Sequence, residues 1–247
     1  MMKNQNFKVY CLTLKTTPER TDSAKQLFNN LNLDVEFFYA DRHPLGSKYG
    51  CWDSHLQIWQ SALSKGEDYI MVFEDDVSIE ESNEILQKVY DDAVESFKID
   101  KDLIYVNLYN VCCHIDNVYG CVYIGPAPTN CAYIMNVKRL FERKNIEDLK
   151  PSGLHLDFEL QLNSKSKALV KTACIYPKLK ISQGKFGTTN DYGKIGNFIL
   201  KNIFEYDKAV LLTKLCANFL TSLPLSVKRK VSFKATELMT SIFQDRG

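Results

Sequence analysis

The sequence lacks several features that would assign it quickly to a functional class. Its eight cysteines include no C-x-x-C pair, so neither a zinc finger nor a dithiol redox motif is predicted. It has no glycine-rich phosphate loop and no run of about 18 apolar residues, which argues against a P-loop enzyme and a membrane-spanning protein. The formal net charge is only +1, so nucleic acid is not an expected partner. The polar stretch from Met1 to Phe7 shows no apolar signal region.

Composition and the charge of the C-terminal part predict one main domain with an extension. Hydrophobic residues make up 45% of the chain and charged residues 25%, as is typical of a globular protein. We expect a domain over residues 1–192 and a basic helical extension over residues 193–247. The extension either packs against the domain or a second copy in a homodimer, or binds anionic lipid at a membrane surface. The cysteines lie mostly in apolar contexts, so reduced thiols and a cytoplasmic location are expected.

The first forty residues have the pattern of a strand, a helix and a second strand. Lys8 to Leu14 and Val35 to Ala40 favour strands, and between them Thr17 and Pro18 suit the N-cap and first position of a helix. A βαβ unit of this kind places its two strands in parallel. Strand-like and helix-like stretches continue to alternate, including a helix from about Cys51 to Ser64. The predicted fold class is therefore α/β with a central, mostly parallel sheet.

Five strand-favouring residues, Tyr69 to Phe73, run directly into three carboxylates, Glu74, Asp75 and Asp76. Buried parallel strands are continuous apolar runs, and ligands bind at their carboxyl ends. Because strand side chains alternate, Glu74 and Asp76 are expected on one side and Asp75 on the other. A Mn²⁺ or Mg²⁺ ion would offset the charge of such a same-side pair. The alternative is a solvated acidic turn before a helix that Ser78 to Glu81 would cap with a capping box.

A set of short motifs occurs in an order known from one enzyme family. In chain order they are Leu12-Thr13-Leu14, Pro18-Glu19-Arg20, Ala40-Asp41, Gly50-Cys51, Ser54-His55, Phe73-Glu74-Asp75-Asp76, Asn130 to Ile134, His155-Leu156-Asp157, and Ile175-Tyr176-Pro177 with Gln183. Together they resemble glycosyltransferase family 25, which includes bacterial lipooligosaccharide galactosyltransferases and collagen galactosyltransferase-like domains. The resemblance extends from about Lys8 to Asn190. It departs at Asp41-Arg42, where the family usually has Asp-Gly.

The resemblance implies a GT-A-type nucleotide-sugar-binding fold and an inverting, metal-dependent transfer of a hexose. The donor would be UDP-galactose or UDP-glucose, and the cofactor Mn²⁺ or Mg²⁺. The acceptor would be a hydroxyl of a glycan, a lipooligosaccharide or a protein with a hydroxylysine-type side chain, with lipopolysaccharide biosynthesis as one setting. The other interpretation is a catalytically silent GT-A-like domain used for binding or assembly.

The resemblance also implies roles for individual side chains. Glu74 and Asp76 would ligate or orient the metal. Asp157 or Glu159 would take the acceptor proton, and Asp157 is alternatively a second metal ligand. Contacts to the donor would come from several segments, namely Leu14, Thr17, Arg20, Asp41, Ser54, His55, Asp75 and Gln183. Taken without the resemblance, Arg20 is a surface helix residue and His55 a helix-start or core histidine.

Overall fold

The structure, a computed structural model, describes residues 7–109, 117–119, 122–124, 131–144, 149, 156, 160, 170–175 and 179–183. The chain divides into two compact units, Met1–Thr189 and Asn190–Gly247, and all the described residues lie in the first. The division predicted between residues 192 and 193 stays a prediction. The C-terminal helices predicted over residues 193–247 lie outside the described residues.

Strands and helices alternate along the described part of the chain. The strands are β1 (Lys8–Leu14), β2 (Val35–Ala40), β3 (Tyr69–Glu74), β4 (Val77–Ile79), β5 (Leu103–Asn107), β6 (Asn117–Tyr119), β7 (Val122–Ile124), β8 (Ala132–Asn136), β9 (Lys171–Ile175) and β10 (Ile181–Gln183). The helices are α1 (Pro18–Asn30), α2 (Ser47–Ser64), α3 (Asn83–Ile99) and α4 (Val137–Arg143).

Eight strands form one sheet in the order β2-β1-β3-β8-β5-β9-β7-β6. β1 pairs in parallel with β2 and β3, and β5 pairs in parallel with β9. β8 is antiparallel to β3 and β5, and β7 is antiparallel to β9 and β6. Within the described sheet, β8 and β7 therefore run against the direction of the other six strands. The predicted α/β class with a central, mostly parallel sheet is confirmed, as is the parallel β1-α1-β2 unit.

Helices cover both faces of this sheet, and each face has its own apolar core. One core contains Phe28 of α1 and Leu86 of α3. The other contains Trp59 of α2 and Leu140 of α4. Successive residues of β3 alternate between the two cores. Burial on both faces explains why this strand is a continuous apolar run in the sequence.

The capping box predicted at Ser78 is wrong. Val77–Ile79 forms β4, which pairs antiparallel with β10 in a separate two-stranded sheet. α3 begins at Asn83, and its N-cap is Ser82, whose Oγ accepts a hydrogen bond from the Ile85 N–H at 3.4 Å. The pairing that makes β4 a strand joins segments far apart in the chain. A pattern of neighbouring residues does not contain that information.

Cysteine chemistry also differs from the expectation at one position. Cys174 of β9 is disulfide-bonded, so the expectation of reduced thiols is wrong there. Cys11, Cys51 and Cys131 carry thiols. Reduced cysteines therefore no longer support a cytoplasmic location, which stays a prediction. In the described residues, no helix has both the length and the apolar character that a membrane span requires.

A buried carboxylate, Asp100, joins α3 to β5 and contacts β9. Its Oδ2 accepts a hydrogen bond from Lys171 Nζ at 2.7 Å. Its Oδ1 accepts from the backbone N–H groups of Asp102 and Leu103 at 3.0 and 3.3 Å. Burial opposes ionisation of this group, but the hydrogen bonds from Lys171 and the backbone outweigh it. The pKa of Asp100 therefore lies below its ordinary value.

We expect Asp100→Asn to lower the free energy of unfolding by about 1–3 kcal/mol at neutral pH, because charge-assisted hydrogen bonds are lost. Since the folded pKa is depressed, this stabilisation is present above the unfolded pKa of about 3.9 and disappears as pH falls through the folded pKa. Urea unfolding across that pH range measures the difference. Asp102→Asn, which removes a carboxylate that is 70% exposed, is the control. A difference that stays constant with pH would contradict the account.

Candidate functional site

The carboxyl ends of β1, β2 and β3 meet at one edge of the sheet. Leu14 of β1 pairs with Ala40 of β2, and Leu12 pairs with Glu74 of β3. The ladder continues one residue further, because the Asp75 N–H donates to the Leu12 carbonyl at 3.0 Å. In open α/β sheets this is the edge at which ligands bind. The acids after β3 therefore lie beside the segments that follow β1 and β2.

Arg20, in the first turn of α1, bridges two of the three acids. Its Nη2 lies 2.5 Å from Asp75 Oδ1 and 3.0 Å from Asp76 Oδ2, and the three side chains are only 7%, 6% and 2% exposed. Thr13 Oγ1 donates to Asp75 Oδ2 at 2.6 Å and shares a second 2.6 Å hydrogen bond with Thr21 Oγ1. These two acids are thus buried members of a polar network. They are not the solvated turn that was the alternative interpretation.

Glu74 contacts a different group of side chains. Its Oε1 lies 3.5 Å from Nε2 of His55, which is completely buried. His55 Nδ1 lies 2.7 Å from the Tyr133 hydroxyl, which also accepts a hydrogen bond from Trp59 Nε1 at 2.8 Å. The histidine is therefore fixed by residues of α2 and β8 and faces the last residue of β3.

The expected placement of Glu74 and Asp76 on one side, with Asp75 opposite, is wrong. Asp75 and Asp76 both face the Arg20 guanidinium, whereas Glu74 faces the buried histidine. The alternation of side chains holds only while the backbone is extended. β3 ends at Glu74, and the next two residues form a turn, which rotates both aspartates toward α1.

The acid cluster after β3 carries an excess of negative charge, since the Arg20 guanidinium pairs with two of its three carboxylates and Glu74 faces His55. This negative charge also affects the pKa of two neighbouring thiols. Burial raises the pKa of Cys11 and of Cys131 well above the ordinary value, and the charges of the nearby acids raise both further. Carboxylate oxygens in a negative field are the ligands that Mn²⁺ and Mg²⁺ prefer. By donor chemistry and charge, Glu74 and Asp76 each suit such an ion, although Glu74 faces His55 and Asp76 faces Arg20.

Three further residues predicted to contact the donor lie along the same edge. The Leu14 carbonyl accepts hydrogen bonds from the backbone N–H and the Oγ1 of Thr17, at 3.1 and 3.2 Å. Thr17 is the N-cap residue of α1 as predicted, although its side chain accepts no hydrogen bond from the helix. Asp41, directly after β2, is exposed and pairs with Lys15 at 2.6 Å. The loop after β1 is thus tied to the end of β2.

A cleft of about 230 Å³ opens between the end of β2 and the first turns of α2, and Asp41, Arg42 and Ser54 are among its lining residues. Ser54 is itself buried, and its hydroxyl donates to the Gly50 carbonyl at 2.6 Å, so it serves the helix. Ligand pockets commonly measure about 300–1,000 Å³. The cleft therefore fits a part of a nucleotide, such as a ribose, and not a whole nucleotide-sugar.

The structure does not describe the side chains of the remaining predicted residues, Asp157, Glu159 and Gln183. Asp157 and Glu159 lie outside the described residues, although Leu156 and Leu160 beside them are buried in the core that contains α2. Gln183 ends β10, where its backbone is paired with Val77, and its side chain lies outside the described part.

Four side chains that position the acids and the histidine were not predicted from the sequence. These are Thr13, Thr21, Tyr133 and Trp59. The signal for two of them was a polar atom within an apolar strand, Thr13 in β1 and Tyr133 in β8. A buried polar atom requires a hydrogen-bond partner, so each indicated a neighbour that the sequence did not identify.

We expect Tyr133→Phe to lower the free energy of unfolding by about 1–3 kcal/mol, because the buried Trp59 N–H would lose its acceptor. Guanidinium chloride unfolding measures this change. Tyr39→Phe, on a side chain that is 45% exposed, removes a hydroxyl without burying an unsatisfied group and is the matched control. Equal stability of the two variants would contradict the network.

Part of this edge lies in a segment that is similar to a known family. Residues 41–117 match the sequence model described as glycosyltransferase family 25 (LPS biosynthesis protein). The resemblance of the chain to glycosyltransferase family 25 is confirmed. The matched segment begins at Asp41 and contains His55 together with Glu74, Asp75 and Asp76, so it includes the acid cluster and the buried histidine.

Two curated relatives carry the family 25 name and match short parts of the chain. A "Glycosyltransferase 25 family member" of Aedes aegypti is 28% identical across 29% of this chain. A "Probable inactive glycosyltransferase 25 family member 3" of Rattus norvegicus is 35% identical across 28% of this chain. The chain spans only 16% and 12% of the lengths of these two relatives. They support the family 25 match without extending it to the whole protein.

Similar solved structures include A197 from STIV, with a TM-score of 0.40, and mannose-1-phosphate geranyltransferase from Thermus thermophilus, with a TM-score of 0.39. Each is 11% identical to this chain. The alignments cover 74% and 71% of this chain and 97% and 76% of those chains. At these scores neither likeness bears on the site.

Proposed function

We propose that this chain is an inverting, metal-dependent glycosyltransferase that moves galactose or glucose from a UDP-sugar to a hydroxyl of a glycan, lipooligosaccharide or protein. The observation that carries the proposal is the group of three acids at the carboxyl end of β3, within the segment that matches family 25. Two of these acids, Asp75 and Asp76, are buried against Arg20. Burying such a cluster of charges costs free energy. This cost favours the interpretation that the acids serve a function.

In this proposal Glu74 and Asp76 hold Mn²⁺ or Mg²⁺. When bound, the ion would supply positive charge that stabilises the departing nucleoside diphosphate. Arg20 contacts one carboxylate oxygen of Asp75 and Thr13 contacts the other. Arg20 also pairs with Asp76. The acids are therefore oriented before the substrate arrives, which limits reorganisation during the reaction.

Exposed groups at the same edge suit the rest of a nucleotide-sugar. Asp41 would accept hydrogen bonds from ribose hydroxyls in the cleft, as acids after a second strand do in other nucleotide-binding folds. Lys15 and Arg42 lie beside it; Lys15 pairs with Asp41 at 2.6 Å and Arg42 donates to Thr16 at 3.3 Å. Both cations would offset diphosphate charge. Asp157 or Glu159 would accept the acceptor proton on the face opposite the leaving group, as inversion requires.

A second candidate function is a catalytically silent GT-A-like domain used for binding or assembly. Arg20 already pairs with Asp75 and Asp76 in this structure, and charge pairing of this kind is able to maintain a fold without metal. The name of the rat relative also includes the word inactive. Under this alternative the edge would bind a nucleotide-sugar or a partner without cleaving it.

Thermal unfolding with a panel of nucleotide-sugars tests the proposal, since a ligand that binds only the folded state raises the melting temperature. We expect UDP-galactose or UDP-glucose to raise it when Mn²⁺ is present, with UDP released over time. ADP-glucose serves as the control donor. Stabilisation without release of UDP would favour the silent domain. Absence of both effects with every UDP-sugar would contradict the glycosyltransferase, and would leave only a silent domain that binds a partner.

A cytoplasmic location, with peripheral membrane contact or a homodimer through residues 193–247, belongs to the same proposal. We expect removal of these residues to reduce co-sedimentation with anionic liposomes, because their basic side chains would be lost. Unchanged co-sedimentation, together with a lower melting temperature, would instead favour packing against the domain.

A further inference from the structure

Cys51, His55 and Glu74 form a group that is distinct from the Arg20 ion pairs. The Cys51 Sγ, a ring nitrogen of His55 and a carboxylate oxygen of Glu74 all lie within 4.8 Å of one another. Cys51 and His55 are four positions apart on α2 and so lie on one face of that helix. Glu74 reaches the same place from the end of β3. Three side chains of metal-binding type thus converge from two elements.

The histidine supplies a second and independent observation. Its side chain is fully buried, and its Nε2 makes no hydrogen bond to any described residue. The 3.5 Å from Nε2 to Glu74 Oε1 exceeds the usual N–H···O distance of about 2.7–3.2 Å. An N and an O donor bound at about 2.1 Å to a tetrahedral Zn²⁺ are about 3.4 Å apart. The observed spacing therefore suits a cation between the two atoms better than a direct hydrogen bond.

We propose that Cys51, His55 and Glu74 bind Zn²⁺. Thiolate and imidazole ligands select Zn²⁺ over Mn²⁺ and Mg²⁺, which prefer oxygen. On binding, the Cys51 thiol releases its proton to solvent. Glu74 is 24% exposed and Cys51 is half-buried, so a fourth position faces solvent and takes a water molecule. A zinc site with three protein ligands and one open position exchanges the ligand at that position, whereas a structural zinc site has four protein ligands and is closed.

The group around the histidine completes the site. A metal-binding imidazole donates its other N–H to a nearby acceptor, which fixes the ring. Here Nδ1 is 2.7 Å from the Tyr133 hydroxyl, and Trp59 Nε1–H donates to the same hydroxyl at 2.8 Å. With Zn²⁺ bound, His55 Nδ1–H donates to Tyr133 and Nε2 keeps its lone pair for the metal. Tyr133 is thus a positioning residue for the zinc site.

Binding of Zn²⁺ by itself does not depend on the proposed glycosyltransferase function. One consequence does rest on it, because Glu74 is shared between the zinc site and the proposed donor-metal site. Zn²⁺ would then compete with Mn²⁺ for this carboxylate and inhibit sugar transfer. Failure of inhibition alone would count against the shared role of Glu74, whereas failure of binding would count against the zinc site.

Calorimetric titration of the full chain with Zn²⁺, and absorption spectra with Co²⁺ in its place, test the site. We expect one tightly bound Zn²⁺ per chain and a thiolate-to-cobalt charge-transfer band. Cys51→Ala and Glu74→Gln should each weaken Zn²⁺ binding by at least about 100-fold, since residues that only support ligands are worth about 10- to 100-fold. Tyr133→Phe should weaken it less. Cys131→Ala, which removes a buried thiol outside the cluster, is the control and should bind Zn²⁺ as the wild type does.

Either of two results, obtained with Cys51→Ala and with the wild type, would overturn the zinc site. One is Zn²⁺ binding by folded Cys51→Ala with wild-type affinity, and the other is a Co²⁺ complex of the wild type without a thiolate band. Thermal unfolding in chelator shows whether each variant is folded. If Cys51→Ala does not fold, Glu74→Gln decides, because it alters a part-exposed side chain and keeps its shape. Unchanged affinity in that folded variant would also overturn the site.

Discussion

Asp76→Asn should slow metal-dependent cleavage of the donor by at least about 100-fold, the loss typical when one group that stabilises transition-state charge is removed. Asparagine keeps the volume of the buried side chain and an oxygen for Arg20, but it removes the negative charge. A metal bound by Asp76 would then be held more weakly, and the diphosphate would leave with less compensation. The measurement is the rate of UDP release at saturating UDP-sugar over a series of Mn²⁺ concentrations.

Glu80→Gln is the matched control for this loss, because Glu80 is an exposed acid four positions further along the chain. It should release UDP at the wild-type rate. Melting temperatures of both variants separate loss of chemistry from loss of fold. A folded Asp76→Asn protein with the wild-type rate and the wild-type dependence on Mn²⁺ would show that Asp76 does not hold the catalytic metal.

Arg20→Ala should lower the free energy of unfolding by about 3–5 kcal/mol. Removing one partner of a buried ion pair leaves uncompensated charge in the interior, and here a single guanidinium serves both Asp75 and Asp76. A loss of this size is a large fraction of the stability of a typical domain. Guanidinium chloride unfolding monitored by tryptophan fluorescence provides the measurement.

Lys15→Ala is the comparison for Arg20→Ala, since the Lys15 pair with Asp41 has side chains that are 53% and 76% exposed. Exposed pairs contribute about 0–1 kcal/mol. Adding Asp75→Asn to Arg20→Ala should restore part of the lost stability, because it removes one of the two uncompensated charges. Similar small losses for Arg20→Ala and Lys15→Ala would mean that the interior pairs are not as buried as described.

The elements that the sequence predicted well are those whose signal is local. β1, β2 and the start of α1 lie at the predicted residues, because apolar runs, a proline and an N-cap position define them within a few neighbours. α2 begins at Ser47, earlier than the predicted Cys51, after Gly46 with its φ of 100°. That glycine is the N-cap of the helix. β4 was missed because only its distant partner β10 makes it a strand.

The candidate site was predictable in its position but not in its contacts. An apolar strand that ends in acids, beside the ends of two other strands, indicated which edge of the sheet to consider. The sequence did not show that Asp75 and Asp76 face Arg20 while Glu74 faces His55. That arrangement depends on the turn after Glu74 and on the approach of Arg20 from α1. Nor did the contact of His55 with Tyr133, which lies on β8 and is adjacent only because β8 pairs with β3. Such contacts follow from tertiary packing, which no single stretch of sequence encodes.

The most direct measurement is UDP release by the wild-type chain incubated with UDP-galactose or UDP-glucose and Mn²⁺, before and after addition of a chelator. The account predicts steady release with at least one of these donors, faster with an acceptor hydroxyl present, and its loss on chelation with recovery when Mn²⁺ is restored. No release from either UDP-hexose at any Mn²⁺ concentration, by a chain that is folded and binds UDP, would contradict it.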